Sequence, residues 1–188
     1  LTSVSRRSFG AFTTPGISMS GPHTVAFIGV TQYYLAVNGG VNVTFSIPSP
    51  TGDQWYDDGT SAMVSSNIFG YLRADTRLRL TSWIFDGRFT PITQISGVFR
   101  TPPINMTTFH ALTFGQVVQY RLIVEGGSNV TYSLTSVTQD EWYDEGSILT
   151  VSADYTWSVS PEQSRINLLS LILDEQSIPF DRSSKGTF

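Results

Sequence analysis

The sequence predicts an all-β chain, two tandem Ig-like β-sandwich domains preceded by an extended N-terminal tail. Three observations carry this reading. Charged residues are only 14% of the 188, too few to cover the wet faces of amphipathic helices, whereas aromatic residues reach 13% and Ser, Thr and Val are abundant. The sequence also repeats itself at an offset of 87 residues. Within each copy, short alternating runs are broken by turn residues every ten positions or so, about seven strands in roughly 90 residues.

The repeat is the strongest of the three. Gln32 to Gly59 lies without a gap over Gln119 to Gly146, and 17 of those 28 positions are identical. Downstream the match continues after a one-residue shift, Arg77 to Ile92 pairing with Arg165 to Phe180. Upstream it keeps the original offset: Gly10 to His23 and Gly97 to His110 share Gly, Phe, Thr, Pro, Ile, Met and His in place. The expected organisation is a tail over 1–20, a first sandwich over 21–101, and a linker with the second sandwich over 102–188.

Each element follows from alternation and turn chemistry. Tyr33, Leu35 and Val37 alternate with Gln32, Tyr34 and Ala36, and Val41, Val43 and Phe45 resume after Asn38-Gly39-Gly40. That predicts a hairpin of two antiparallel strands. Further strands are expected over 61–65, 68–73 and 77–86 and at their counterparts. The motif W-Y-D-[DE]-G, at Trp55 to Gly59 and Trp142 to Gly146, reads as a turn whose Trp and Tyr pack on the edge of the sandwich. The competing readings are calcium ligation by Asp53, Asp57 and Asp58, or an acid/base pair at Asp57 and Asp58.

Other chemistry finds little to stand on. With a net charge of -4 and a pI near 5.0, no basic stripe exists for nucleic acid. No cysteine is present, which excludes disulfides and thiolate metal sites, and no apolar run reaches the length of a membrane span. His23 and His110, the only histidines, occupy equivalent positions and read as structural. No G-x-S-x-G elbow occurs. No catalytic residue, metal or cofactor is expected. If exposed, Trp55, Tyr56, Trp142 and Tyr143 offer a carbohydrate platform. The sequons at Asn42, Asn105 and Asn129 are the expected N-glycosylation sites of an exported chain, and a start at Leu1 without a signal segment fits a processed protein.

The ends of the two copies suggest an assembly mechanism. Gln94 to Pro102 follows the first copy as a strand candidate, whereas only DRSSKGTF follows the second copy at Phe180. The matching segment, RRSFGAFTTP at Arg6 to Pro15, stands at the front of the chain. A neighbour's tail is then expected to fill the second module by β-strand addition, with Arg7, Phe9, Gly10, Ala11, Phe12 and Thr14 as donor residues. Donor and acceptor surfaces differ, so the contact propagates into an open homopolymer. Two alternatives stay open. Each copy can own its leading strand, giving a monomeric adhesive, carbohydrate-binding or surface-layer accessory module, and Gly186-Thr187-Phe188 echoes Gly10-Ala11-Phe12 and can fill the last strand position in cis.

In its tail before two β-sandwich modules, its W-Y-D-x-G turns, its lack of cysteine and its repeated sequons at Asn42 and Asn129, the chain resembles the subunits of archaeal "thread"-type surface filaments assembled by donor-strand complementation. The resemblance implies a non-enzymatic extracellular filament at the cell surface, N-glycosylated, with the tail as donor strand.

Overall fold

The computed structural model describes residues 10, 11, 13–159 and 164–179. Among them the regular elements are strands and none is a helix, so the all-β class holds. Among the described residues no helix is long and apolar enough to cross a membrane. The chain divides into two compact units, 1–118 and 119–188.

The first unit holds β1 (Gln32–Asn38), β2 (Thr44–Phe45), β3 (Trp55–Asp57), β4 (Thr60–Ala62), β5 (Val64–Asn67), β6 (Phe69–Tyr71), β7 (Thr76–Phe85), β8 (Arg88–Pro91), β9 (Val98–Arg100) and β10 (Ile104–Met106), and most of β11 (His110–Arg121). Its larger sheet runs β3-β1-β11-β7-β6, with β8 also on β7. β2, β5 and β9 form a smaller sheet, and β4 pairs with β10. The apolar faces of these sheets share one core, in which Leu35, Val64, Ile68, Leu80, Met106 and Leu112 are fully buried. β7 also buries Arg77, whose guanidinium lies 3.9 Å above the Phe69 ring, an apolar stem with a cation–π head.

The hairpin expected after β1 does not form. β1 is flanked by β3, antiparallel, and by β11, parallel, with Leu35 opposite His110 and Asn38 opposite Thr113. β2 pairs instead with β5 in the other sheet, Thr44 opposite Ser65. Gly39 (φ 70°) and Gly40 (φ 86°) make this crossing, and a Cβ on Gly39 would stand 2.7 Å from the Phe114 carbonyl oxygen. The glycines serve a close approach between segments as well as a turn.

The second unit holds the end of β11 with β12 (Thr131–Tyr132), β13 (Trp142–Asp144), β14 (Val151–Ser152), β15 (Thr156–Val159), β16 (Ser164–Asn167), β17 (Ser170–Leu173) and β18 (Gln176–Pro179). Its pairings copy those of the first unit residue for residue. Gln119 opposite Asp144 repeats Gln32 opposite Asp57, and Thr131 opposite Ser152 repeats Thr44 opposite Ser65. Thr156 opposite Asn167 repeats Phe69 opposite Arg79, and Ser170 opposite Pro179 repeats Ser82 opposite Pro91. Side chains follow: Gln32 and Gln119 each donate to the Asp of the W-Y-D motif at 2.8 Å.

Candidate functional site

The pairings of the first unit that have no copy in the second, among the described residues, are those made by one continuous segment, residues 97–114. β9 pairs with β5, Ser66 opposite Phe99, and the buried Thr101 clamps Val64 from both sides: its amide donates to the Val64 carbonyl at 2.9 Å and its hydroxyl accepts from the Val64 amide at 3.0 Å. β10 pairs with β4, Ile104 opposite Ala62, and the Met106 carbonyl takes the Gly59 amide at 3.0 Å. The start of β11 then lies parallel to β1. Alternation explains which side chains this segment sends inward: Ile104 and Met106 flank the exposed Asn105, and Leu112 and Phe114 flank the exposed Thr113.

Residues 10–27 are the counterparts of this segment at the 87-residue offset, yet the described part of them carries no strand. Ile104, Met106, Leu112 and Phe114 are 5%, 0%, 0% and 4% exposed; their counterparts Ile17, Met19, Val25 and Phe27 are 43%, 76%, 49% and 76% exposed. Four large apolar side chains within eleven residues are thus exposed where their counterparts are core.

The second unit shows the complementary deficit. Residues 147–149, counterparts of β4, form no strand, and Ile148 among them is 91% exposed. Val151 and Tyr155 are exposed where Val64 and Ile68 are fully buried. Ala153 is exposed where Ser66 is buried, and Leu122 and Leu149 are half-buried where Leu35 and Ala62 are fully buried. Among the described residues, 147–149 join no sheet and β14 pairs with β12 alone.

Of the donor residues expected from sequence, Gly10 and Ala11 are exposed and Thr14, counterpart of the clamping Thr101, is half-buried. Arg7, Phe9 and Phe12 lie outside the described residues, as does Gly186-Thr187-Phe188. Sequence reasoning missed Ile17 and Met19, which lie inside the Gly10 to His23 match, and Val25 and Phe27, which lie beyond it. Asn105, expected on a linker, sits in β10 of the first unit; Asn42, Asn105 and Asn129 are all exposed.

The carbohydrate platform is dismantled by burial, because Tyr56, Trp142 and Tyr143 belong to the interior and only Trp55 is exposed, beside Tyr34 at 5.5 Å. Asp57 and Asp144 accept hydrogen bonds from Gln32 and Gln119, and the described residues contain no group of three acidic or His side chains placed to hold a metal ion. No family model, no curated protein and no solved structure matches the chain.

Proposed function

We propose that the chain is the structural, non-enzymatic subunit of an extracellular cell-surface filament. Its two units are Ig-like β-sandwiches, and residues 10–30 of one subunit complete the second unit of the next. The observation that carries this reading is the contrast between two matching segments: 97–114 closes the first unit's core, while Ile17, Met19, Val25 and Phe27 in the matching 10–27 are exposed, in a chain whose second unit lacks that cover among its described residues.

The physical case is one of strand addition. The first unit supplies the template for the register: Ala11 opposite Asp154, Thr13 opposite Ser152, Ile17 opposite Leu149, and a parallel run that places His23 beside Leu122. Main-chain hydrogen bonds satisfy two open edges at once, and burial of Ile17, Met19, Val25 and Phe27 contributes about 1.5–3 kcal/mol each. The donor surface differs from the acceptor surface, so the contact repeats without closing on itself. This donor is longer than the Arg7 to Thr14 stretch read from sequence. N-glycans on the exposed Asn42, Asn105 and Asn129 fit a chain that lives outside the cell.

Negative-stain imaging of the purified full chain tests the reading directly. Filaments are expected, and a variant lacking residues 1–30 is expected to stay a monomer with its first unit folded. A wild-type chain that remains at 20.7 kDa in solution, or a deletion variant that still polymerises, overturns it.

A further inference from the structure

Resting on that assembly, we infer that His23 of one subunit clasps Asp174 of the next and so fixes how deeply the donor segment is seated. The template is His110 in the first unit. Its Nδ1 lies 2.7 Å from Asp86 Oδ2, and its Nε2 lies 3.1 Å from the Asn105 carbonyl oxygen. The ring thus spans two acceptor oxygens, a carboxylate on its Nδ1 side and a main-chain carbonyl on its Nε2 side. The other Asp86 oxygen accepts the Ala111 amide at 2.9 Å, the Asp86 amide donates to the Ala111 carbonyl at 2.9 Å, and the Phe85 ring lies 5.1 Å from the imidazole at 22°. All of this gathers where β11 enters the sheet against the β7–β8 turn.

Both halves of the clasp recur, in different parts of the chain. His23 is the counterpart of His110, and its Nε2 already lies 2.9 Å from the Ser18 carbonyl oxygen, the counterpart of the Asn105 contact across the same five-residue span. The ring is thereby oriented, with Nδ1 as the remaining nitrogen. Asp174 is the counterpart of Asp86. The β17–β18 turn repeats the β7–β8 turn, and Asp174 (φ 49°) and Glu175 (φ 67°) adopt the left-handed backbone of Asp86 (φ 47°) and Gly87 (φ 81°). For Glu175 that conformation is unfavourable, and the turn keeps it. Each half is therefore preorganised, which lowers the entropic cost of joining them. Leu173 stands in for Phe85, giving up the ring stack but keeping an apolar wall. A strand inserted one residue out of register turns every side chain to the wrong face, and a charged contact at one fixed position penalises that slip.

The test uses full-length chains and compares His23→Gln with Asp174→Asn. Each variant alone is expected to raise the dissociation constant of the subunit joint by about ten- to hundredfold, the worth of a charge-assisted hydrogen bond. Mixed together, they are expected to form heterodimers at the wild-type dissociation constant, because an intact His23 then meets an intact Asp174; this restoration also shows that both variants fold. Singles that assemble like wild type, or a loss that mixing does not restore, overturn the clasp while leaving the filament reading intact. A wild-type chain with no joint through residues 10–30 removes the reading beneath it.

Discussion

The rings of Phe99 and Phe114 meet edge to face, at 86° with centroids 6.1 Å apart, and Phe99 also leans on Trp83 at 5.8 Å. Two aromatic side chains from one continuous segment thus close the core of the first unit. Their counterparts at Phe12 and Phe27 belong to the proposed donor. Phe114→Ala is expected to destabilise the first unit by about 3–5 kcal/mol, lowering its melting temperature. Phe27→Ala, at an exposed site, is expected to leave the melting of the monomer unchanged and to weaken assembly. Calorimetry and sedimentation on the two variants separate these outcomes.

A chain without cysteine invites a disulfide test. Ser61 lies opposite Asn105 in the β4–β10 pair, so the counterparts Ile148 and Ser18 are expected to face each other across the subunit joint. The double variant Ser18→Cys/Ile148→Cys is expected to give a ladder of covalent multimers on oxidation, seen on a non-reducing gel. Either substitution alone is expected to stop at dimers or below.

Gly39 and Gly126 offer a matched comparison. Both hold a left-handed φ, 70° and 77°, so Ala costs each of them similar backbone strain. At Gly39 the new Cβ also meets the Phe114 carbonyl oxygen at 2.7 Å, whereas at Gly126 nothing lies within 4 Å. Gly39→Ala is expected to destabilise the monomer more than Gly126→Ala by chemical denaturation. Gly126→Ala is expected to hinder assembly, where the Phe27 carbonyl of a neighbour takes the place of that of Phe114.

Asp86 ties stability to pH. Burial alone would push its carboxyl up, but the Ala111 amide and His110 outweigh burial and hold it below the ordinary carboxylate value of 3.8. A depressed folded-state value stabilises the fold above the unfolded value and loses that effect as pH falls through the folded one. Asp86→Asn is expected to melt below wild type near neutral pH, with the gap closing under acid. Melting temperatures of both proteins across pH 2–7 measure it.

The sequons make a prediction by mass. Protein isolated from its native cells is expected to exceed the 20.7 kDa polypeptide, and the excess is expected to fall stepwise in Asn42→Gln, Asn105→Gln and Asn129→Gln.

Much of the fold was legible because alternation reports which face a side chain takes. Leu35, Val64 and Leu80 are buried strand residues, and the expected strands over 61–65 and 77–86 appear as β4, β5 and β7. Alternation does not report which strands are neighbours. Asn38-Gly39-Gly40 carries the chemistry of a hairpin and makes a sheet crossing, and the partner of β1 on one side, β11, lies more than seventy residues downstream. The three-residue strand Ile104–Met106 follows two prolines and precedes two threonines, so it reads as linker until its partner at Thr60–Ala62 is known. The candidate site was legible in kind, as a strand that fits another module. Its extent was not, because His23 and Phe27 gain meaning only once His110 and Phe114 are seen in place.

β8 ends at Pro91 and β9 begins at Val98, so a short tether delivers the closing segment to the first unit of its own chain. Its local concentration there is set by the tether, in the millimolar range or above, and does not change when the protein is diluted. In the proposed filament the second unit has no such tether to its cover and obeys mass action instead. Dilution therefore acts on the joints between subunits and not on the closure within one: it loosens the second half of every subunit, leaves the first half closed, and gives the two halves melting transitions of which one depends on protein concentration and the other does not.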